Sequence, residues 1–543
     1  MSDSDSKRNP PEPPVEAVAD RDAPRKEVFL YAFGNVEGGL ANQFFSILNT
    51  LTVVVLGMNP LIIGAIISIK TLWDAVTDPI MAQVTDNAHT PYGRRIPFIF
   101  AGGVSRVLLL LAIFIFFPRA PSIKTNEQFE REKAERVARA EREKEQGQPP
   151  ETKAAAPAPK PRAGIAEQFV AFGRFFLAPE NEYHRTVAIY LLVASLLFAL
   201  LSTVQSVPYY ALGIELCPSY DGRTRVVVAR GYVDKAMSLV SPWVTPFIFL
   251  TLFPTAIDGL IWYAVFVCAI GIPTTIAMCL GIKERGYHPE LKRPPAPPLL
   301  KSMWLTAKNP HFLKILFLYV FIGFTHGIFA QLGAFIVLFW VFKGDIVQGG
   351  IVNGYASTLA VILGFATLPL IQWACKRLGK HRALRFAIVW MSIGTALKWF
   401  FYNPQYPYLQ LLLPFFFSVG IASVYSILPS MMADVTDVDE LNTGVRREGM
   451  FGAVMAFLMK AIGSLQPVLA AAVLVLAGFD ASLGADQPPE VFTRMRILVA
   501  FVPALLLLFA LLALYKYPLH RQRMEEIKTE LALRRARAAQ SAA

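Results

Sequence analysis

The sequence predicts an all-α, multi-pass membrane protein with twelve transmembrane helices in two pseudo-symmetric six-helix bundles. Three observations predict it. The chain has 543 residues, 54% of them hydrophobic, and a mean hydropathy of +0.43, too apolar for a soluble enzyme of this length. Its apolar runs are long and uncharged: Val107–Phe117, Val187–Leu201, Ala264–Leu280 and Leu498–Leu514. Finally, short polar motifs recur at matching places in the two halves, as in membrane proteins built from internal repeats.

The elements follow in order. Residues 1–27 are polar and Pro-rich with no apolar run of signal-peptide type, so a disordered cytoplasmic tail is expected. A spanning helix needs ~20 largely apolar residues. On that rule the N-terminal bundle, 28–282, holds spans near 28–57, 60–85, 96–118, 187–214, 227–252 and 258–282. A basic linker, 283–310, joins it to the C-terminal bundle, 311–517. The second set of spans lies near 311–341, 350–374, 383–403, 408–432, 449–478 and 493–517. A basic cytoplasmic tail, 518–543, closes the chain.

The formal net charge of +12 does not point to nucleic acid, because the basic residues alternate between loops as the positive-inside rule requires. Arg94-Arg95, Arg223/Arg225, Lys283–Lys308, Lys376–Arg385, Arg446-Arg447 and Arg521–Arg537 all fall on one side. The opposite loops Gly344–Gly349, Asn403–Tyr408 and Asp480–Glu490 are poor in Lys and Arg. Both termini are therefore expected in the cytoplasm, in a plasma (bacterial inner) membrane. Loops as long as 119–186 escape the charge rule, so this insertion can lie outside. Its run Glu127–Glu145 reads as a solvated helix and Gln148–Arg162 as a flexible linker. Ile165, Phe169, Phe172 and Phe176 share one face, as in a short interfacial helix. A partner could dock on this insertion; otherwise a monomer is expected. The four cysteines show no metal-ligand spacing and read as packing residues. No cofactor is expected.

The helix ending near Glu215 is followed by Pro218 to Arg225, with Asp221 and Arg223, then Arg230-Gly231. The helix ending near Asp434 is followed by Asp437 to Glu440, then Arg446-Arg447-Glu448-Gly449. Tyr92-Gly93-Arg94-Arg95 is echoed more weakly by Leu378-Gly379-Lys380-His381-Arg382. Repeats of this kind mark transporters whose halves rock about a midplane site. The residues Arg94, Arg95, Glu215, Asp221, Arg223, Arg225, Arg230, Asp434, Asp437 and Arg447 are expected at a cytoplasmic gate, arginines against acids.

The stretch Trp73-Asp74-Ala75-Val76-Thr77-Asp78-Pro79 carries the chemistry. Asp74 and Asp78 lie four apart, one above the other on a helix face. Each costs roughly 2.5–3.5 kcal/mol to insert, so acids here normally face a cavity. Such a pair can hold a cation or exchange protons. A Pro79 kink alone leaves the deeper acid unexplained. Lys70 precedes Asp74 by one turn, and Arg106 and Lys460 are also deep. The acids Glu37, Asp74 and Asp78 and the bases Lys70, Arg106 and Lys460 sum to zero. Lys70 is expected to balance charge, and Lys70 or Lys460 to release a carboxylate when a cation or proton arrives. Glu37, Asn42, Gln43, Ser206, Tyr210 and Arg106 are candidates for contact with solute. For Arg106 the alternative is pairing or snorkelling, and for the amides it is bridging helices. His326 and Gln331 of span seven carry the same two readings, contact with solute or a bridge between helices. An intramembrane enzyme would need a nucleophile–base pair or a metal cluster, and no HExxH or clustered His occurs. A non-transporting receptor using the insertion is the other rival.

Residues 73–81 followed by Tyr92-Gly93-Arg94-Arg95-Ile96-Pro97 resemble the glycoside–pentoside–hexuronide:cation symporters, the melibiose-permease-like branch of the major facilitator superfamily. Tyr31-Ala32-Phe33-Gly34, Val207–Leu212 and Met432-Ala433-Asp434 through Glu448 are similar too. The resemblance implies a major facilitator fold and symport of Na⁺ or H⁺ with a sugar or glycoside-like solute. It implies a cation site from Asp74, Asp78, Thr77 and Thr203, closed by Lys460. Galactoside-type members carry aspartates where this chain has Gly39 and Ser206, and a tryptophan where it has Tyr210. The same family's lysolipid carriers also lack those aspartates, so an amphiphile is the alternative cargo.

Overall fold

The computed structural model describes residues 22–88, 90–119, 123–131, 182–217, 219–284, 308–444, 448–483, 485–515 and 517–542, with isolated positions at 134–135, 138 and 306. Every described element is helical. The first span is broken into α1 (Arg25–Phe33), α2 (Val36–Ala41) and α3 (Gln43–Asn49), and ends in a π-helical turn, Thr50–Val55. Next come α4 (Pro60–Asp86), α5 (Ile96–Ile115) and α6 (Glu182–Leu216). They are followed by α7 (Tyr220–Val240), α8 (Val244–Ile248) and α9 (Ala256–Gly281). The second half opens with α10 (Pro310–Phe335) and its π-helical turn Ile336–Val341, then α11 (Ile346–Leu378) and α12 (Lys380–Phe401). It ends with α13 (Leu413–Thr443), α14 (Glu448–Gly463), α15 (Gln466–Ala477) and α16 (Pro489–Ala510). A last helix, α17 (Arg521–Ala542), lies beyond the spans.

Local chemistry sets the helix starts. Asn59 caps α4 by accepting from the Leu61 N–H at 2.9 Å, with Pro60 at the first position, where its missing N–H costs nothing. Asn309 and Pro310 repeat that arrangement at α10. Thr255 and Asp258 form a capping box at α9. At the other end, α13 stops at Gly444, whose φ of 71° suits a residue without Cβ.

Eleven described helices are long and apolar enough to cross a membrane. The sequence led us to expect twelve, and the difference is the span near 227–252. That place is taken by α7 and α8, joined through a short 3₁₀ turn at Ser241–Trp243. The helix α7 carries Arg223, Arg225, Arg230, Asp234 and Lys235, so it is too polar to register as a span by composition. A helix that polar within a bundle needs partners or a watery face.

The packing shows where the bundles meet. One apolar core draws on both halves, from Ile62, Phe114 and Ile248 to Phe335, Leu474 and Phe492. A second, with Phe312, Leu384, Leu428 and Leu514, belongs to the C-terminal half alone. The third, with Tyr31, Ile99, Tyr209 and Ile282, belongs to the N-terminal half alone. Among the described residues the bundles thus share an apolar core at one end and none at the other, which holds the Arg94-Arg95 and Lys380 loops. Close backbone approach seals the joined end: Pro246 and Trp243 fill the space that a Cβ on Gly350 and Gly354 would need.

The described part of the 119–186 insertion sits at that joined end. The Asn126 amide donates to the carbonyls of Ile248 at 3.1 Å and Leu250 at 2.9 Å, and Arg119 pairs with Asp258 at 3.0 Å. The expected linker 148–162 and interfacial helix 165–176 lie outside the described residues, as do residues 1–21 and 285–305. The basic tail is a helix docked on the C-terminal bundle, with Met524, Ile527 and Leu531 buried and Arg534 donating to the Leu441 carbonyl at 2.8 Å.

Candidate functional site

On α4, Lys70 and Asp74 pair at 2.6 Å one turn apart. One turn further, Asp78 accepts from the Thr203 hydroxyl of α6 at 3.0 Å. Its other oxygen meets the Lys460 ammonium of α14, so this carboxylate joins the two bundles. Thr203 and Thr77 lie 3.2 Å apart, both buried, and Thr77 also donates to the Trp73 carbonyl at 3.0 Å. Asp74 and Asp78, Thr77 and Thr203, and Lys70 and Lys460 are therefore one cluster. Its two carboxylates and two ammoniums sum to zero.

One oxygen in the cluster lacks a partner. Asp74 Oδ1 is buried and accepts no hydrogen bond, which is costly for an ionised oxygen unless a cation or proton comes to it. With the Asp78 carboxylate and two hydroxyls it makes an all-oxygen set, the kind that suits a hard cation.

Glu37 and Arg106 stand elsewhere. They form a two-point ion pair between α2 and α5, at 0% and 1% exposure, with Arg106 Nε donating at 2.8 Å. The remaining guanidinium nitrogen donates to Ser202 at 3.0 Å. A sealed pair has no surface for a solute, so the expectation that these two contact it is corrected. Gln43 is also spoken for: it accepts from Ser241 and donates to the Gly39 carbonyl at 3.2 Å, bridging helices. Asn42 is exposed, Ser206 half-buried, and Tyr210 48% exposed. At Gly39 there is no room for an aspartate, since a Cβ would stand 2.9 Å from Met237.

The expected inner gate divides differently. Arg94 and Arg95 both pair with Glu215, Arg95 at 2.9 Å, and Arg95 also reaches Asp86 at 3.2 Å. Glu284 accepts from the backbone N–H groups of Arg94, Arg95 and Ile96 at 2.8–3.0 Å, capping α5. Asp434 pairs with Lys380 at 2.6 Å. These pairs each lie within one bundle, so they brace the loops and do not cross the opening. Arg225 approaches Asp22 at 3.9 Å, and Asp22 accepts from the Ser219 N–H and hydroxyl; those bonds hold its carboxyl below the usual range. Asp221 and Arg223 lie in the first turn of α7, and Asp437 is half-buried near the end of α13. Arg447 falls outside the described residues.

Arg230 is the clearest displacement. It lies ten residues into α7, roughly 15 Å along the axis, and so is not a gate residue. Its guanidinium lies over the Tyr210 ring at 4.7 Å and its Nε is 3.8 Å from Asp234, which accepts from Asn35. Ser219 caps α7, its hydroxyl accepting from the Gly222 N–H at 2.9 Å, and a serine at that place is the sequence signal that α7 starts early.

The profile of the family described as MFS/sugar transport protein matches residues 31–125 and 166–521, most of the chain. The chain belongs to the MFS/sugar transport protein family. It is thus a multi-pass membrane transport protein and not an enzyme, as the motif resemblance implied. An uncharacterized symporter, sll1374, of Synechocystis sp. is 31% identical over 44% of this chain and 43% of its own length. The glucuronide carrier protein homolog of Escherichia coli is 26% identical over 31% of this chain and 36% of its own. The sodium-dependent lysophosphatidylcholine symporter 1-B of Danio rerio is 23% identical over 48% of each chain. The matches span less than half the length of each of these curated relatives. The crystal structure of the nucleoside transporter NupG shares the fold, with a TM-score of 0.53, 13% identity and coverage of 91% of this chain and 100% of that one. Two of these relatives are named as symporters and one as a glucuronide carrier, so the cargo they are named for differs.

Proposed function

We propose that the protein is a secondary active symporter that moves a sugar or glycoside-like solute together with Na⁺ or H⁺ by alternating access. The observation that carries this is Asp78, a carboxylate held by Thr203 of its own bundle and Lys460 of the other. The cation site is Asp74, Asp78, Thr77 and Thr203. A cation arriving there competes with Lys460 for Asp78 and with Lys70 for Asp74. Because the cluster is neutral beforehand, the ammonium it displaces must move, and the contact between bundles goes with it. The basic loops put the open end in the cytoplasm by the positive-inside rule, so this conformation loads or releases on the inner side. The protein acts in the plasma membrane as a monomer with solute, cation and lipid as its partners.

One observation favours a second cargo. The lysophosphatidylcholine symporter aligns over a larger share of this chain than the glucuronide carrier does, 48% against 31%. Uptake into proteoliposomes, with sodium and proton gradients imposed separately, tests both readings. Methyl glycosides accumulating on one gradient supports the first; lysophosphatidylcholine alone accumulating supports the second; neither responding to a gradient overturns symport.

A further inference from the structure

A cavity of about 340 Å³ lies between the α11–α12 turn and the tail helix α17, away from the interface of the two bundles. The turn is the single residue Gly379, whose φ of 83° is open to a residue without Cβ. It places Lys376, in the last turn of α11, and Lys380, the first residue of α12, on one cavity wall. From α17 come Arg521, Glu525 and Lys528, spaced i, i+4 and i+7 on one helix face. Arg521 also donates to the Lys376 carbonyl at 3.3 Å, which fastens the tail to the end of α11.

Four bases, Lys376, Lys380, Arg521 and Lys528, thus meet two acids, Asp434 and Glu525. Both acids are already answered, Asp434 by Lys380 at 2.6 Å and Glu525 by Arg521 at 2.9 Å. Lys376 and Lys528 pair with no carboxylate among the described residues. Two unanswered ammonium groups on one cavity give it a positive potential that draws an anion.

The height of the cavity says which anion. On α11, Leu370, Trp373 and Leu378 are exposed. A tryptophan in that place marks the boundary between acyl chains and head groups. Lys376 lies three residues past Trp373, about 4.5 Å along the axis. On the other flank, Met524 and Ile527 bury α17 against the bundle while Arg523 and Glu526 pair in the open at 2.8 Å. The cavity therefore has apolar surface on its membrane side and water on the other.

We propose that this cavity binds the phosphate of an anionic phospholipid, with Lys376 and Lys528 on its oxygens and the acyl chains along Leu370 and Trp373. The positive-inside rule puts this turn at the cytoplasmic leaflet, where basic pockets take acidic head groups. A zwitterionic head group brings an ammonium of its own, which the two lysines repel. A free phosphate meets the same lysines and gains nothing from the apolar surface. The bound lipid ties α17 to the turn whose Lys380 holds Asp434 of α13. The site goes beyond the transport reading and stands whatever the solute is.

Native mass spectrometry of the purified full chain, titrated with phosphatidylglycerol or phosphatidylcholine, reads the tightest lipid-binding step. The wild type should bind phosphatidylglycerol about ten-fold more tightly than phosphatidylcholine. Lys376→Gln and Lys528→Gln should each weaken that step about five-fold, the worth of one basic residue at an acidic surface. Arg523→Gln removes the same charge from the same helix outside the cavity, and should leave the step unchanged. Equal affinity for the two lipids, or wild-type affinity in both lysine variants, overturns the site. Equal weakening by Arg523→Gln shows a diffuse charge effect and overturns it too. The last arm is inorganic phosphate alone. If it raises the wild-type melting temperature as much as the lipid does, and the lysine variants lose that rise, the cavity takes free phosphate and the lipid is overturned.

Discussion

Lys460 of α14 and Asp78 of α4 form an ion pair across the two bundles, 382 residues apart in sequence. Their side chains are 45% and 24% exposed, so the pair is open to water and contributes ~1 kcal/mol or less to stability. Its importance is positional. Lys460→Ala should leave the melting temperature within a degree or two of the wild type and reduce gradient-driven uptake at least ten-fold. A large loss of stability with uptake retained would make the pair structural.

Lys70 tests the other half of the cluster. Lys70→Ala leaves Asp74 with two unpartnered oxygens, which favours a bound cation. Cation affinity should rise, and release, and with it turnover, should slow. Thermal shift against sodium concentration and pH reads the affinity. Normal transport by both lysine variants would contradict the account.

Glu37 and Arg106 make the opposite case. Their pair is sealed from solvent, and removing one partner strands a charge at a cost of ~3–5 kcal/mol. Glu37→Gln and Arg106→Met should each lower the melting temperature sharply. The double variant should be less damaged than the sum of the singles, the signature of direct coupling. Additive effects in that cycle would show that the two side chains do not depend on each other.

How much of this could be read in advance depended on how local the signal was. Asp74, Thr77 and Asp78 stood out because a helix repeats every 3.6 residues and because acids are expensive in a membrane. The partners of Glu37 and Arg106 were not legible: they lie 69 residues apart, and nothing local distinguishes a sealed pair from a cavity-facing one. Asp434 turned to Lys380, 54 residues upstream, for the same reason. Arg230 was misplaced by its loop-like neighbourhood, when the polar run from Tyr220 is already helix. The basic residues around the tail cavity were legible, but the cavity was not, because two distant stretches, 376–381 and 521–528, compose it. Only packing brings them together.

The joined end should be adjustable. Trp243 rests where a Cβ on Gly354 would come within 3.1 Å of its ring. Gly354→Ala should overpack that seal by roughly 1–3 kcal/mol and move the population toward the conformation open at the other end. Spin labels at the exposed residues Tyr92 and Leu378, at the parted ends of the two bundles, should report a shorter separation. An unchanged distance distribution would show that the seal does not set the equilibrium.

The most direct test concerns Asp78 itself. In proteoliposomes, Asp78→Asn keeps the size and the hydrogen bond from Thr203 but removes the charge that holds Lys460 and a cation. The account predicts that this variant still exchanges solute across the membrane at equilibrium and no longer concentrates it on a sodium or proton gradient. A variant that accumulates solute as the wild type does would show that the carboxylate does not couple the two fluxes.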